Sequence, residues 1–141
     1  GAPDFAQRNS RYGATAFDAA ATEAILSLRT IMIPDDYVST LQIYLVHTNL
    51  GAGAGNVVWR VGHSTASVSG GTLPAFTTTD ETVAAPAQNV LAAELIGAWA
   101  PTVAVGDVVN VSCGRIGGDA ADTLANDAGF VGYILTYTAD M

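Results

Sequence analysis

The residues with the clearest capacity for chemistry lie in one acidic, glycine-rich loop over residues 117–127. Asp119, Asp122 and Asp127 place three carboxylates within nine residues, and Ca²⁺ prefers carboxylate oxygens as ligands. Their spacing is not that of an EF-hand loop, however. Arg115 stands just before the loop, so the other interpretation is an ion pair from Arg115 to Asp119 or Asp122 that fixes the loop on a strand. We favour the ion pair and expect no metal or other cofactor.

Other reactive side chains are isolated in the sequence. His47 and His63 end two predicted strands without the HxH or HExxH spacing of a zinc site, and His47 is expected at the rim with one hydrogen bond. The single cysteine, Cys113, follows Val109 and Val111 at strand spacing, which predicts a buried small side chain rather than a nucleophile. Because no G-x-S-x-G motif or phosphate-binding loop is present, we expect no enzymatic activity.

Aromatic side chains raise the alternative of a surface on which sugars stack. Trp59 shares a strand face with two valines, which predicts that it packs in the core. Trp99 lies between alanines just before a proline and is expected to be more exposed. The tyrosines that would complete such a surface are Tyr44, Tyr133 and Tyr137.

The elements that must position these groups are predicted to be strands. Period-two alternation is clearest over residues 37–47, 57–63, 108–116 and 130–138, and an earlier strand over 22–33 stops at the turn Pro34-Asp35-Asp36. Residues 82–85 and 91–96 complete the set, and a short helix over 89–96 is the alternative on propensity. About seven or eight strands without βαβ alternation predict an all-β fold, an antiparallel β-sandwich of jelly-roll type.

The chain is predicted to divide into an extended N-terminal arm, residues 1–17, and a single sandwich domain, residues 18–141. The arm shows neither helical nor strand periodicity, yet it holds three aromatic residues and two of the five arginines. We therefore expect it to lie on a neighbouring acidic subunit rather than in its own core. The residues expected at that interface are Phe5, Arg8, Arg11, Tyr12 and Phe17.

Composition restricts the partners of the chain. It has no lysine, thirteen acids and a formal net charge of −8, which opposes binding to nucleic acid or an anionic membrane. No apolar run approaches the roughly 20 residues of a membrane span, and no apolar segment follows Arg8 and Arg11 as in a signal peptide. Half of the residues are hydrophobic, which excludes disorder as the global state.

The C-terminal half carries a resemblance to a known class of proteins. Its residues in order are Gly106-Asp107-Val108-Val109, Arg115, Asp122-Thr123, Gly132 and Leu135-Thr136-Tyr137, preceded by Val57-Val58-Trp59-Arg60-Val61. This pattern resembles small β-sandwich domains in virion proteins of tailed bacteriophages, such as capsid decoration proteins, head fibres and tail-associated proteins. The resemblance covers residues 22–138 and brings no catalytic residues with it.

The resemblance implies a structural protein located in the phage particle. The expected function is that of a capsid decoration or fibre-type subunit, which forms homo-oligomers such as trimers and binds other virion proteins. The alternative is a carbohydrate-binding module, for example the receptor-binding tip of a fibre. An exposed row of aromatic residues beside a groove would favour that alternative.

Overall fold

A computed structural model describes the backbone of residues 4–8, 12–72 and 74–140, and their side chains except at 4–8, 12, 13 and 25–29. All regular secondary structure in these ranges is β-strand, so the protein is all-β, as the sequence predicts. The nine strands are β1 (Asp4–Arg8), β2 (Tyr12–Phe17), β3 (Thr22–Met32), β4 (Tyr37–Asn49), β5 (Asn56–Ser67), β6 (Thr77–Ala84), β7 (Ala92–Leu95), β8 (Asp107–Ile116) and β9 (Ala128–Ala139).

The strands form two antiparallel sheets that enclose one hydrophobic core. The five-stranded sheet has the order β1-β2-β9-β4-β7, and the four-stranded sheet has the order β3-β8-β5-β6. Core residues come from both sheets, so the fold is the predicted antiparallel sandwich. Side chains buried between the sheets include Ile43, Leu45, Trp59, Val61, Val109, Val111, Cys113 and Phe130.

Alternation of burial explains why these segments are strands. In β4, Ile43 and Leu45 are fully buried, while Tyr44 between them faces away from the core. The ambiguous residues 89–96 contain β7, not a helix. β7 pairs with β4 from Tyr44↔Leu95 to His47↔Ala92, so tertiary pairing overrides the helix propensity of this alanine- and leucine-rich segment.

The N-terminal segment differs from the predicted arm. β1 pairs with β2, and β2 joins the main sheet through pairs such as Phe17↔Ala128. Phe17 is fully buried and packs edge-on against Trp59 at 5.5 Å between ring centroids. The prediction that Phe17 belongs to a subunit interface is therefore wrong, as is the expectation that the segment adds no strand to its own core.

The small residues of β2 explain why the sequence did not predict this strand. Ala14 is buried beside Gly129 of β9, where side-chain atoms of Thr48, Leu50 and Ala14 already fill the space that a Cβ on Gly129 would need. A buried strand built largely from alanine, glycine and threonine shows no hydrophobic periodicity. Of the other residues expected at an interface, Phe5, Arg8 and Tyr12 lie in β1 and β2 but their side chains are outside the described part, and Arg11 is outside it altogether.

Thr40 adopts a strained backbone conformation in β4. Its φ is 61°, in the left-handed region that β-branched residues rarely occupy. The pairing with β9 shifts register here, between Ser39↔Thr138 and Gln42↔Thr136, which places one extra residue on β4 as in a β-bulge.

Glycine at this position should stabilise the protein. Thr40→Gly removes a left-handed penalty of about 1–2 kcal/mol and loses about 0.5–1 kcal/mol through the greater freedom of the unfolded chain. We expect a net gain of about 0.5–1 kcal/mol in the free energy of unfolding, measured by urea denaturation. The neighbouring control, Ser39→Gly, should lose stability, and an equal loss in both variants would contradict the assignment of strain.

Candidate functional site

The most elaborate polar cluster is centred on Arg115, near the end of β8. Its side chain continues the core-facing positions of Val109, Val111 and Cys113 and is fully buried. Nε and Nη2 donate to the two carboxylate oxygens of Asp122 at 2.9 and 2.7 Å. This is the ion pair that the sequence predicts, with both side chains at most 1% exposed.

The guanidinium also holds three backbone carbonyl groups. Nη1 donates to Phe17 O at 3.2 Å and Asn126 O at 2.7 Å, and Nη2 donates to Leu124 O at 2.6 Å. With the two bonds to Asp122, all five N–H donors of the arginine are used. The cluster thus joins β8 to the end of β2 and to the loop, and it leaves no donor for a ligand.

Asp122 accepts three hydrogen bonds in all, whereas Asp119 is turned away from Arg115. Asp122 Oδ2 accepts the backbone N–H of Val58 at 3.0 Å. Asp119, the alternative partner for Arg115, instead accepts the N–H of Ala121 at 2.8 Å within an exposed turn. Among the described residues, no group of three or more His, Cys, Asp or Glu side chains is placed to hold a metal ion. The loop therefore works as a structural clamp.

Removing the buried guanidinium should be far more costly than removing an exposed one. Arg115→Met leaves the Asp122 carboxylate buried without its counter-charge, a loss of about 3–5 kcal/mol. The matched control is Arg60→Met, since Arg60 also makes two bonds to one carboxylate, Asp80, at 2.7 and 2.8 Å. Those side chains are 44% and 41% exposed, so the expected loss is below about 1 kcal/mol. Similar losses in chemical denaturation of the two variants would contradict this account.

His47 is a core residue, and the expectation of a rim position is wrong. It is fully buried, and its ring lies edge-on to Trp59 at 5.7 Å. Neither ring nitrogen has a hydrogen-bond partner among the described residues, and the nearest carboxylate oxygen, on Glu94, is 4.0 Å from Nε2. Burial lowers the pKa of His47 to about 4, so the ring is neutral at pH 7.

His47 should make the protein less stable in mild acid. Below pH 6.5 the unfolded chain binds a proton that the folded chain accepts only near pH 4. The free energy of unfolding is therefore unaffected by this group above pH 6.5. Between pH 6.5 and pH 4 it falls by about 3 kcal/mol, because protonation of His47 favours the unfolded chain. In His47→Leu the decrease in unfolding free energy between pH 7 and pH 4 should shrink by that amount. Unchanged pH dependence in denaturant titrations would contradict the buried neutral histidine.

The cysteine and both tryptophans are buried too. Cys113 is 1% exposed, as its spacing predicts, and burial raises the pKa of its thiol. Trp59 is in the core as expected, but Trp99 is only 2% exposed, with its Nε1 donating to Gly62 O at 3.3 Å. The expectation of an exposed Trp99 is therefore wrong, and neither tryptophan is available for stacking on a sugar.

A surface without charge covers the outer side of β9, β4 and β7. Side chains of Ile134, Tyr44 and Leu95 form one row across these strands, because Tyr44 pairs with both neighbours. Ile134 is 49% exposed and Leu95 is 40% exposed. We call this the uncharged face; its further members are Gly132, Val46 and Ala93 in the next row, with Gln42 and Thr136 at one end.

The sequence of these strands contains almost no charge. β4 and β9 have no Asp, Glu, Lys or Arg, and the one acid of β7, Glu94, pairs with Leu45 on the core-facing side. The outer side of the four-stranded sheet is different, since it carries the Arg60–Asp80 ion pair. The uncharged face was not predicted from the sequence. It could have been, because Tyr44 and Val46 alternate with core residues and must therefore lie on the outer side of β4.

Comparisons with known proteins place this chain in no family. No protein-family model matches it, and no curated protein or solved structure matches it significantly. Within residues 4–8, 12–72 and 74–140, no helix has the length and apolar character to cross a membrane.

Proposed function

We propose that this chain is a structural subunit that works by associating with copies of itself, as a decoration or fibre-type protein of a phage particle. The observation that carries the proposal is the uncharged face on a chain of net charge −8. Copies of so acidic a protein repel one another over most of their surface. Contact through this face brings no like charges together and removes exposed apolar groups from water.

Two of the four sheet edges, β7 and β6, are poorer surfaces for association. β7 has only four residues and carries Glu94, and β6 carries Asp80 and Glu81. Short edge strands and charged edge residues are the usual protection against edge-to-edge pairing. Packing by the face of the sheet is therefore favoured over extension of the sheet at these two edges.

The size of the uncharged face fits the centre of an interface. Three strands spaced about 4.8 Å apart, over about five residues each, cover roughly 240 Å². This is no larger than the largest apolar patch of an ordinary monomer, so the proposal depends on the absence of charge and not on the area. A stable interface needs about 800 Å² per partner, which the threonine, glutamine and serine side chains around the face would supply as a polar rim.

The strand order supports the choice of a virion protein. Strands β2 to β9 form two facing sets, β2-β9-β4-β7 and β3-β8-β5-β6, an order that supports the predicted jelly roll, with β1 added at one edge. Jelly rolls are common in viral capsid and lectin domains. Together with the sequence resemblance to phage β-sandwich proteins, this order favours a role in the particle, by analogy of fold.

A charge placed on the uncharged face should dissociate the oligomer. We expect the purified chain to have the mass of an oligomer, a trimer on the resemblance, and Ile134→Asp to have the mass of a monomer of 14.4 kDa. Val105→Asp is the matched control, because Val105 is 48% exposed but lies outside the face. Light scattering coupled to size-exclusion chromatography measures both. A monomeric wild type, or dissociation of the control alone, would overturn self-association through this face.

The location in the particle needs a separate experiment. Antibodies against the purified chain should label intact particles from lysates of the source culture in immunogold electron microscopy. The Ile134→Asp variant should fail to become incorporated. If all of the chain stays in the soluble fraction and the particles remain unlabelled, the virion assignment is wrong even if the protein is oligomeric.

A further inference from the structure

A polar cleft of about 320 Å³ opens beside β5, at the end of the four-stranded sheet. β6 begins at Thr77, which pairs with His63, so β5 has no partner strand on this side from Ser64 onward in the described chain. The segments around Ala75 and Ala100 form the opposite walls. A smaller hollow next to it shares His63 and Thr77 and reaches Trp99.

The walls of the cleft combine apolar surface with polar side chains that carry no charge. His63 lies edge-on to Trp99 at 5.7 Å, and hydroxyl groups come from Ser64, Thr65, Thr77 and Thr102. Burial lowers the pKa of His63, so at pH 7 its ring is neutral and offers one hydrogen-bond donor and one acceptor.

One of these groups, Thr65, has unused hydrogen-bonding capacity, but it is closed to solvent. Ser64 Oγ donates to Pro74 O at 2.7 Å, which ties the loop before β6 to β5. By contrast, Thr65 Oγ1 is buried without a hydrogen-bond partner in the described part of the chain. A bound molecule reaches it only if the wall of the cleft shifts, so the exposed hydroxyls of Thr77 and Thr102 are the direct contacts that the cleft offers.

We infer that this cleft binds a small neutral polyhydroxyl molecule with the chemistry of a single sugar ring. Hydroxyl and imidazole groups exchange hydrogen bonds with sugar hydroxyls, and the methyl groups of Ala75 and Ala100 suit the C–H groups of the ring. An anion would find no cationic side chain among the lining residues, and a metal ion would find no carboxylate. The cleft contains no residue of the uncharged face, so the inference is independent of self-association.

The test is a titration of the isotope-labelled full chain, followed by NMR. The probes are glucose, galactose, mannose and N-acetylglucosamine, with inorganic phosphate and acetate as charged comparisons. We expect saturable shifts of the His63 ring and of the Thr77 and Thr102 amides with at least one sugar, and none with the anions.

Paired variants connect binding to the cleft. Thr102→Val keeps the shape of the side chain but removes its hydroxyl, and should weaken binding about tenfold, the effect of one lost hydrogen bond. Thr82→Val is the control, because Thr82 is an exposed threonine of β6 outside the cleft. The inference is overturned if no sugar gives saturable shifts at His63, if phosphate gives the same shifts, or if Thr102→Val binds as tightly as the wild type.

Discussion

The buried guanidinium of Arg115 is the constraint on which the rest of the structure depends. It lies where a core side chain would lie, and its charge is tolerable only because Asp122 and three carbonyl groups surround it. Those partners come from β2 and from the loop before β9, while Asp122 also holds β5 through Val58. One side chain thus fixes the relative positions of strands from both sheets, because displacing any of them would expose a buried charge without compensation.

The sequence predicted those parts of the molecule where large apolar residues alternate with others. The strand β4 is predicted from its own residues alone, because Leu41, Ile43 and Leu45 alternate with residues of the other face. The ion pair is predicted because Arg115 stands next to an aspartate-rich loop. The choice of Asp122 over Asp119 could not be predicted, since it depends on how the loop turns back over the sheet. β2 was missed because most of its residues are small, and the burial of Trp99 depends on contacts with Gly62 and His63, which are distant in sequence.

Charge is distributed unevenly over the two outer faces of the sandwich. The four-stranded sheet carries an exposed ion pair, Arg60–Asp80, and has acids along its β6 edge. The five-stranded sheet shows Ile134, Tyr44 and Leu95 in one row on its outer side, and Glu94, the one charged residue of these three strands, lies on the core-facing side. The two faces therefore present different surfaces to water, and we propose that the uncharged face forms the contact between copies of the chain.

The position of β9 has a consequence for how the protein folds. This last strand lies between β2 and β4, not at an edge, and its pairing with β4 is the most extensive in the sheet. During synthesis the five-stranded sheet stays divided until β9 emerges, and β2 must wait for a partner made more than a hundred residues later. Such non-local pairing makes folding slow and leaves strand edges open in a chain that still lacks β9. The order of synthesis therefore delays formation of the uncharged face until β9 has been made, so that shorter nascent chains cannot present it.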